Sequence, residues 1–293
     1  MSAVRHAMSV DVEEYFQVWA LADVVATVDW DRWPSRVEAS TRRTLELFAA
    51  AGVRATFFVL GWVAERRPQL VRAVVAAGHE LASHGYGHAK VTSLEPAAFR
   101  ADVARAKAML EDAAGVAVAG YRAPSFSLGP DTWWAYDVLA DTGHRYSSSL
   151  HPIRHDHYGL PNAPRTPFRP MAGPLVEVPV ATLDLGVRVS CAGGGHFRLL
   201  PYPWTRWCLD RLTRTERRPG VFYFHPWELD PGQPRVAGLP WRARLRHYTN
   251  LDAMEAKLRR LLRDFAWDRL DAVVPLDPAA LPCWAPETAA VAA

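Results

Sequence analysis

The stretch His79-Glu-Leu-Ala-Ser-His-Gly-Tyr-Gly-His88 decides how this chain is read. The apolar run Val71–Ala77 followed by Gly78 reads as a helix ending at a glycine cap. His79–Ser83 then reads as a short strand. His84 and His88 fall just past its carboxyl end, where α/β folds gather their chemistry. Two imidazoles four residues apart can reach one metal ion. Two glycines in three residues favour a shaped loop over a helix. A histidine pair alone is more often local hydrogen bonding than a metal site. It needs a third ligand, a base and an acid from elsewhere in the chain.

Working outward, apolar runs and period-two stretches mark strands at Met8–Val12, Ala55–Leu60, Gly120–Ala123, Tyr146–Ser149, Leu175–Thr182, Val221–Phe224 and Ala272–Leu276. Helical spacing marks Glu38–Ala51, Pro68–Ala77, Pro96–Ala113, Thr132–Thr142, Trp204–Arg214 and Leu251–Phe265. Residues 20–37 read as a polar and aromatic excursion. Strands alternating with helices indicate parallel βα units, in an open sheet or a barrel. Asp11, Glu13, His84, His88, Arg122 and His225 all cluster at strand ends. In a barrel they would face one mouth.

Strand alternation adds a finer expectation. Asp11 and Glu13 lie two apart and point to one side, whereas Glu14 points away. A turn or an N-cap is the ordinary use of a single Asp here, but it suits Asp-Val-Glu-Glu less well.

Composition excludes several classes. The net charge is +3 with basic residues scattered, so no nucleic-acid stripe is expected. The arginines near 257–263 read as a solvated helix face. Cys191, Cys208 and Cys283 form no CxxC pair, so neither a disulfide framework nor a zinc ribbon follows. The first ten residues lack a signal peptide's apolar core, and no run approaches the roughly 18 residues of a membrane span. A cytoplasmic enzyme is expected, in one domain over residues 1–283, with a frayed tail at 284–293. No Gly-rich phosphate loop opens a helix; Gly193-Gly-Gly195 has no GK[ST]. Among the twelve tryptophans, Trp30, Trp33, Trp62, Trp133, Trp134 and Trp227 fall near turns or strand ends, which suits a sugar cleft, though large aromatics serve cores as often.

The ordered set resembles the NodB-like polysaccharide deacetylases, carbohydrate esterase family 4, over most of the chain. Ser83-His-Gly-Tyr-Gly-His88 resembles their paired-histidine metal motif, Tyr121-Arg-Ala-Pro-Ser125 their arginine-proline groove motif, and Phe222-Tyr-Phe-His225 their last strand with the catalytic histidine. Phe57-Phe-Val-Leu60 is also typical. Ser9-Val-Asp-Val-Glu-Glu-Tyr-Phe16, Gly193-Gly-Gly-His-Phe-Arg-Leu-Leu-Pro-Tyr202, His225-Pro-Trp-Glu228 and Arg246-His-Tyr-Thr-Asn250 resemble a subgroup found with bacterial exopolysaccharide and exosortase loci.

The resemblance implies an irregular (β/α) barrel of seven or eight strands. It implies hydrolysis of N-acetyl groups on amino sugars of a bacterial exopolysaccharide or its precursor. Asp11 would be the base, paired with Arg122, and His225 the acid. The backbone N–H of Ser125 would help hold the oxyanion. The family's second Asp of Thr-Phe-Asp-Asp falls on Val12, which cannot bind metal. Some relatives carry Asp-x-Asp, and the same-side argument selects Glu13. The expected ligands are Glu13, His84 and His88 around a divalent ion, zinc foremost, with cobalt or nickel also accommodated. Tyr86, Trp227 and His155 are expected to contact substrate. The run His151-Pro-Ile-Arg-His155-Asp-His157 would suit a metal on composition, but a similar run in the subgroup favours a loop contacting substrate. Two other readings remain: a metal-free hydrolase of a non-sugar C–N bond, and an inactive carbohydrate-binding barrel. Retention of both histidines speaks against the first. Retention of base, acid and arginine together speaks against the second.

Overall fold

The computed structural model describes residues 4–155, 158–171 and 173–287. Its centre is β1 (His6–Val12), whose seven residues are all buried. Around it follow α1 (Val37–Ala51), β2 (Thr56–Val59), α2 (Gly61–Arg66), α3 (Pro68–Ala76), β3 (Glu80–Ser83), α4 (Pro96–Ala114), β4 (Gly120–Tyr121), α5 (Ala135–Asp141) and β5 (Tyr146–Ser147). The second half carries β6 (Arg169–Pro170), β7 (Val176–Glu177), β8 (Thr182–Asp184), β9 (Arg188–Ser190), α6 (Gly194–Leu199), α7 (Tyr202–Arg214), β10 (Val221–Phe224), α8 (Trp241–Tyr248), α9 (Leu251–Asp264), β11 (Trp267–Asp268), α10 (Leu270–Val273) and β12 (Cys283–Trp284).

The main sheet runs β10-β1-β2-β3-β4-β5-β7, every pair parallel, with β11 also pairing β1. Beyond β7, the Ala181 N–H donates to the Val221 carbonyl of β10 (3.0 Å), so the sheet curls back on its first edge. This is the irregular α/β barrel expected. Parallel strands put all their carboxyl ends on one rim. That is why residues as distant in sequence as Asp11, His84, Arg122 and His225 can meet.

Three local expectations change. The strand expected over 175–182 ends at Glu177, because Pro179 has no N–H for a ladder; Thr182–Asp184 instead forms an antiparallel hairpin with β9. The strand expected over 272–276 does not form: Ala272 and Val273 close the helix α10 and 274–276 are irregular, while the last strand on the sheet is β11, whose Trp267 and Asp268 pair with His6 and Ala7. The tail expected to fray from 284 is docked at its start: Trp284 pairs with Pro170 and sets its ring edge-on against Trp133 and Phe168. Residues 288–293 of that tail lie outside the described residues, as do Asp156 and His157. Among the described residues no helix is long and apolar enough to cross a membrane.

Candidate active site

Glu13 is the hub. It follows β1, is 1% exposed, and three imidazoles face it. Its Oε2 lies 2.7 Å from His88 Nε2 and 3.8 Å from His84 Nε2, while Oε1 lies 3.6 Å from His225 Nε2 and accepts from Trp227 Nε1 (3.3 Å). Burial alone would raise this carboxyl, but His88, His225 and His84 outweigh it and hold the group at about 2. Glu14 points the other way, as alternation requires. It accepts from Ser35 Oγ and from the backbone N–H groups of Arg36 (2.8 Å) and Val37 (3.1 Å), satisfying the open start of α1.

His84 is fixed in one tautomer. Its Nδ1 lies 2.8 Å from the Arg122 carbonyl oxygen, which only accepts, so Nδ1 carries the proton and Nε2 keeps its lone pair. Burial lowers this imidazole to about 4, so it stays neutral, the form that binds metal. The loop between the histidines is shaped by left-handed backbone at Gly85 (φ 74°) and His88 (φ 53°). Asp102 of α4 braces it by accepting from the Tyr86 N–H at 2.9 Å. A side chain at Gly85 would press on that carboxylate.

Asp11 accepts from Arg122 Nη1 at 2.7 Å, with both side chains buried. The guanidinium is spanned on every side. Nη1 also donates to Ser9 Oγ (2.9 Å), Nε to the Ser148 carbonyl (2.9 Å) and Nη2 to Ser148 Oγ (2.9 Å). It stacks 4.1 Å over the Phe58 ring. Three residues on, Ser125 and Phe126 hold left-handed backbone (φ 55° and 50°), a strained turn of the kind that gathers at working sites.

His225 follows β10 and keeps 20% of its side chain exposed, the most open member of the group. Its Nδ1 lies 3.2 Å from Glu228 Oε2. Burial works against its protonation, but Glu13 and Glu228 outweigh that and push it up to about 9. Glu228 is in turn held by Arg198 Nε at 2.7 Å. Burial would raise this carboxyl too; Arg198 and His225 keep it at about 2.

The donor set suits a metal. Glu13, His84 and His88 each offer a ligand atom, all within 4.8 Å of one another. Glu13 Oε2 is buried, and although His88 Nε2 is near, no N–H is aligned on it, so the oxygen has no hydrogen-bond donor. Such an arrangement of converging lone pairs is what a divalent cation resolves.

Not every expected residue joins the cluster. Tyr86 turns its hydroxyl to Glu65 (2.8 Å), with Arg105 stacked on its ring at 3.5 Å, between α2 and α4. His155 stacks on Tyr158, 3.9 Å between centroids. Trp227 does join it, buried and stacked on His225 with its Nε1 donating to Glu13 Oε1. His151, from the rival histidine run, is buried against Ser190 Oγ at 3.1 Å. The sequence reading missed Ser9, Asp102, Ser148, Arg198 and Glu228. Ser9, Arg198 and Glu228 lie in motifs quoted for the subgroup, which was their only signal.

Comparison with known proteins agrees with this fold. Residues 22–146 match the model of the family described as polysaccharide deacetylase, and residues 148–275 match a domain of unknown function (DUF3473). A chitooligosaccharide deacetylase of Bradyrhizobium sp. is 27% identical over 186 residues, 64% of this chain and 77% of that protein. A peptidoglycan deacetylase of Helicobacter pylori is 28% identical over 118 residues, 39% of this chain and 38% of that protein. Among solved structures, a protein from Mycobacterium smegmatis assigned to the same class superposes with a TM-score of 0.61 at 23% identity, covering 90% of this chain and 86% of that one. A family 4 carbohydrate esterase from Streptomyces lividans superposes at 0.52 with 17% identity, covering 98% and 100%. At these identities the two structures establish the fold alone.

Proposed function

We propose that this chain is a polysaccharide deacetylase, a reading supported by the family match over residues 22–146 and by the relatives, and that it hydrolyses N-acetyl groups on amino sugars of a bacterial exopolysaccharide or its precursor. The observation that carries the reading is the convergence of His84, His88 and His225 on Glu13, with the Asp11–Arg122 pair two residues away.

Glu13, His84 and His88 would hold a divalent cation, zinc foremost, which supplies Lewis acidity toward the acetyl oxygen and the attacking water. Asp11 would take the water's proton as the new C–O bond forms. Arg122 keeps Asp11 aimed, since its guanidinium cannot rotate away from four hydrogen bonds. The Ser125 N–H would donate to the developing oxyanion. His225, protonated and partly exposed, would give its Nε2 proton to the amine as the C–N bond breaks, leaving acetate and a free amino sugar.

The test is acetate release from N-acetylhexosamine oligomers by protein stripped with chelator and reloaded with zinc or cobalt. The expected result is release that chelator abolishes, that metal restores, and that Asp11→Asn lacks. If reloaded protein releases no acetate from any such oligomer, the reading fails.

A further inference from the structure

Resting on that reading, we propose that Arg198 is the positioning residue for the acid: from the region matching a domain of unknown function, it locks Glu228 against His225 and ties both to the 246–249 backbone. The polysaccharide deacetylase match ends at residue 146, so His225, Glu228 and Arg198 all belong to the other half of the chain.

Arg198 is 1% exposed on α6. Its Nε donates to Glu228 Oε1 (2.7 Å), Nη1 to the carbonyls of Thr249 (2.6 Å) and His247 (3.2 Å), and Nη2 to that of Arg246 (2.9 Å). The other oxygen, Glu228 Oε2, faces the backbone N–H of His225 (3.0 Å) and its Nδ1 (3.2 Å). Both carboxylate oxygens are thus committed, one to the clamp and one to the acid. His225 Nδ1–H can point only at Glu228, which leaves Nε2 facing the Glu13 side, where the amine must collect its proton.

The ring face is held as well. Trp227 lies between His225 (centroids 5.2 Å, 23°) and His247 (4.4 Å, 17°). His247 is fixed by Gln233 (2.8 Å), and Gln233 donates to the Trp227 carbonyl (2.8 Å). Gly194 makes room for the clamp, since a Cβ there would overlap the Glu228 carboxylate. That accounts for Gly194; its neighbour Gly193 instead holds left-handed backbone (φ 105°) close against Tyr223.

A buried ion pair is a weak way to add stability, because desolvating both charges offsets most of their attraction. Its placement directly behind the acid is better explained by orientation. A lysine cannot replace it: three donors on one nitrogen cannot span a carboxylate and three separated carbonyls.

Arg198→Lys, and the double variant Arg198→Met/Glu228→Gln, which strands no lone charge, test the assignment on metal-loaded protein. The two substrates are an N-acetyl oligosaccharide and an aryl acetate. In the first, hydrolysis breaks C–N and the amine must be protonated; in the second, the phenolate leaves without a proton. The expected result is a fall in kcat of about ten- to a hundredfold on the amide, with KM within about twofold and ester hydrolysis within about threefold. The second readout needs no turnover: a hydrogen-bonded His225 Nδ1 proton in the ¹H–¹⁵N spectrum at fixed pH, present in wild type and lost in both variants. The proposal is overturned if amide and ester activity fall together, if neither falls in the double variant, or if the Nδ1 proton survives. If wild type cleaves no amide yet the Nδ1 proton depends on Arg198, the proposed function falls and the positioning role stands.

Discussion

Glu13 and Glu14 are adjacent carboxylates with opposite surroundings, and exchanging them one at a time separates function from stability. Glu14 accepts from a hydroxyl and from two backbone N–H groups at the start of α1. Glu14→Ala removes the acceptor of those three donors, of which the Val37 N–H is buried and the Ser35 hydroxyl lies at the surface, a loss of about 3 kcal/mol at about 1 kcal/mol per bond. For a chain of 293 residues, an unfolding entropy of about 2 cal/mol/K per residue turns that into a fall in Tm of about 5 °C. Metal content and activity of the folded fraction should be those of wild type. Glu13→Gln keeps shape but removes the only anionic donor of the set. Outer partners of metal ligands commonly cost about ten- to a hundredfold in affinity when altered. Losing the carboxylate itself should exceed about a hundredfold, about 2.7 kcal/mol of metal binding. The assay is metal stoichiometry after gel filtration, alongside thermal unfolding with and without added zinc. Wild-type metal affinity in Glu13→Gln, or metal loss in a folded Glu14→Ala, would refute the assignment of Glu13 as ligand.

Three further outcomes follow from the same geometry. Asp11→Asn should retain metal but lower kcat by about 10² to 10⁴, because an amide cannot accept the water's proton; unchanged turnover would remove Asp11 as base. Gly194→Ala should cost about 1–3 kcal/mol of stability and lower deacetylation, since its Cβ overlaps Glu228, whereas Gly195→Ala meets nothing within 4 Å and should be neutral; equal effects in a urea titration and rate assay would contradict the packing. His6 and His144 are lowered by burial to about 4. Above pH 6.5 they are neutral folded or unfolded, and their contribution is complete. Between about 6.5 and 4 only the unfolded chain takes the protons, so stability should fall with pH by up to about 1.4 kcal/mol per unit for each. A urea midpoint that rises on acidification from pH 7 to 5 would show the sign to be wrong.

The cluster around Glu13 was readable because it obeys local rules. Period-two alternation placed Asp11 and Glu13 on one side and Glu14 on the other, and the structure has that arrangement. A glycine-flanked histidine pair past an apolar strand announced a shaped loop. What holds these groups was not readable. Asp102 lies on α4, where a single acid looks like any solvated helix residue; only the fold shows it accepting from the Tyr86 N–H. Ser9 on β1 and Ser148 just past β5 are small polar residues, and although Ser9 opens a quoted motif, nothing local marks the two as the ends of Arg122's cradle. Tyr86 shares the histidine loop, yet its side chain turns out to Glu65 and Arg105.

By itself the sequence determined the βα alternation, and with it a parallel sheet whose strand ends share one rim. It also determined which residue types stand at those ends. Tertiary structure alone decided which of them meet. Hydrogen-bond partners such as Arg198 and the carbonyls of 246–249 are set by how α6 packs against α8 and the loop after it, about fifty residues away in the chain. No periodicity or propensity encodes a contact of that separation. Gly194, which permits it, is visible in the sequence, but the reason for it is the Glu228 carboxylate, and that is visible only in the folded protein.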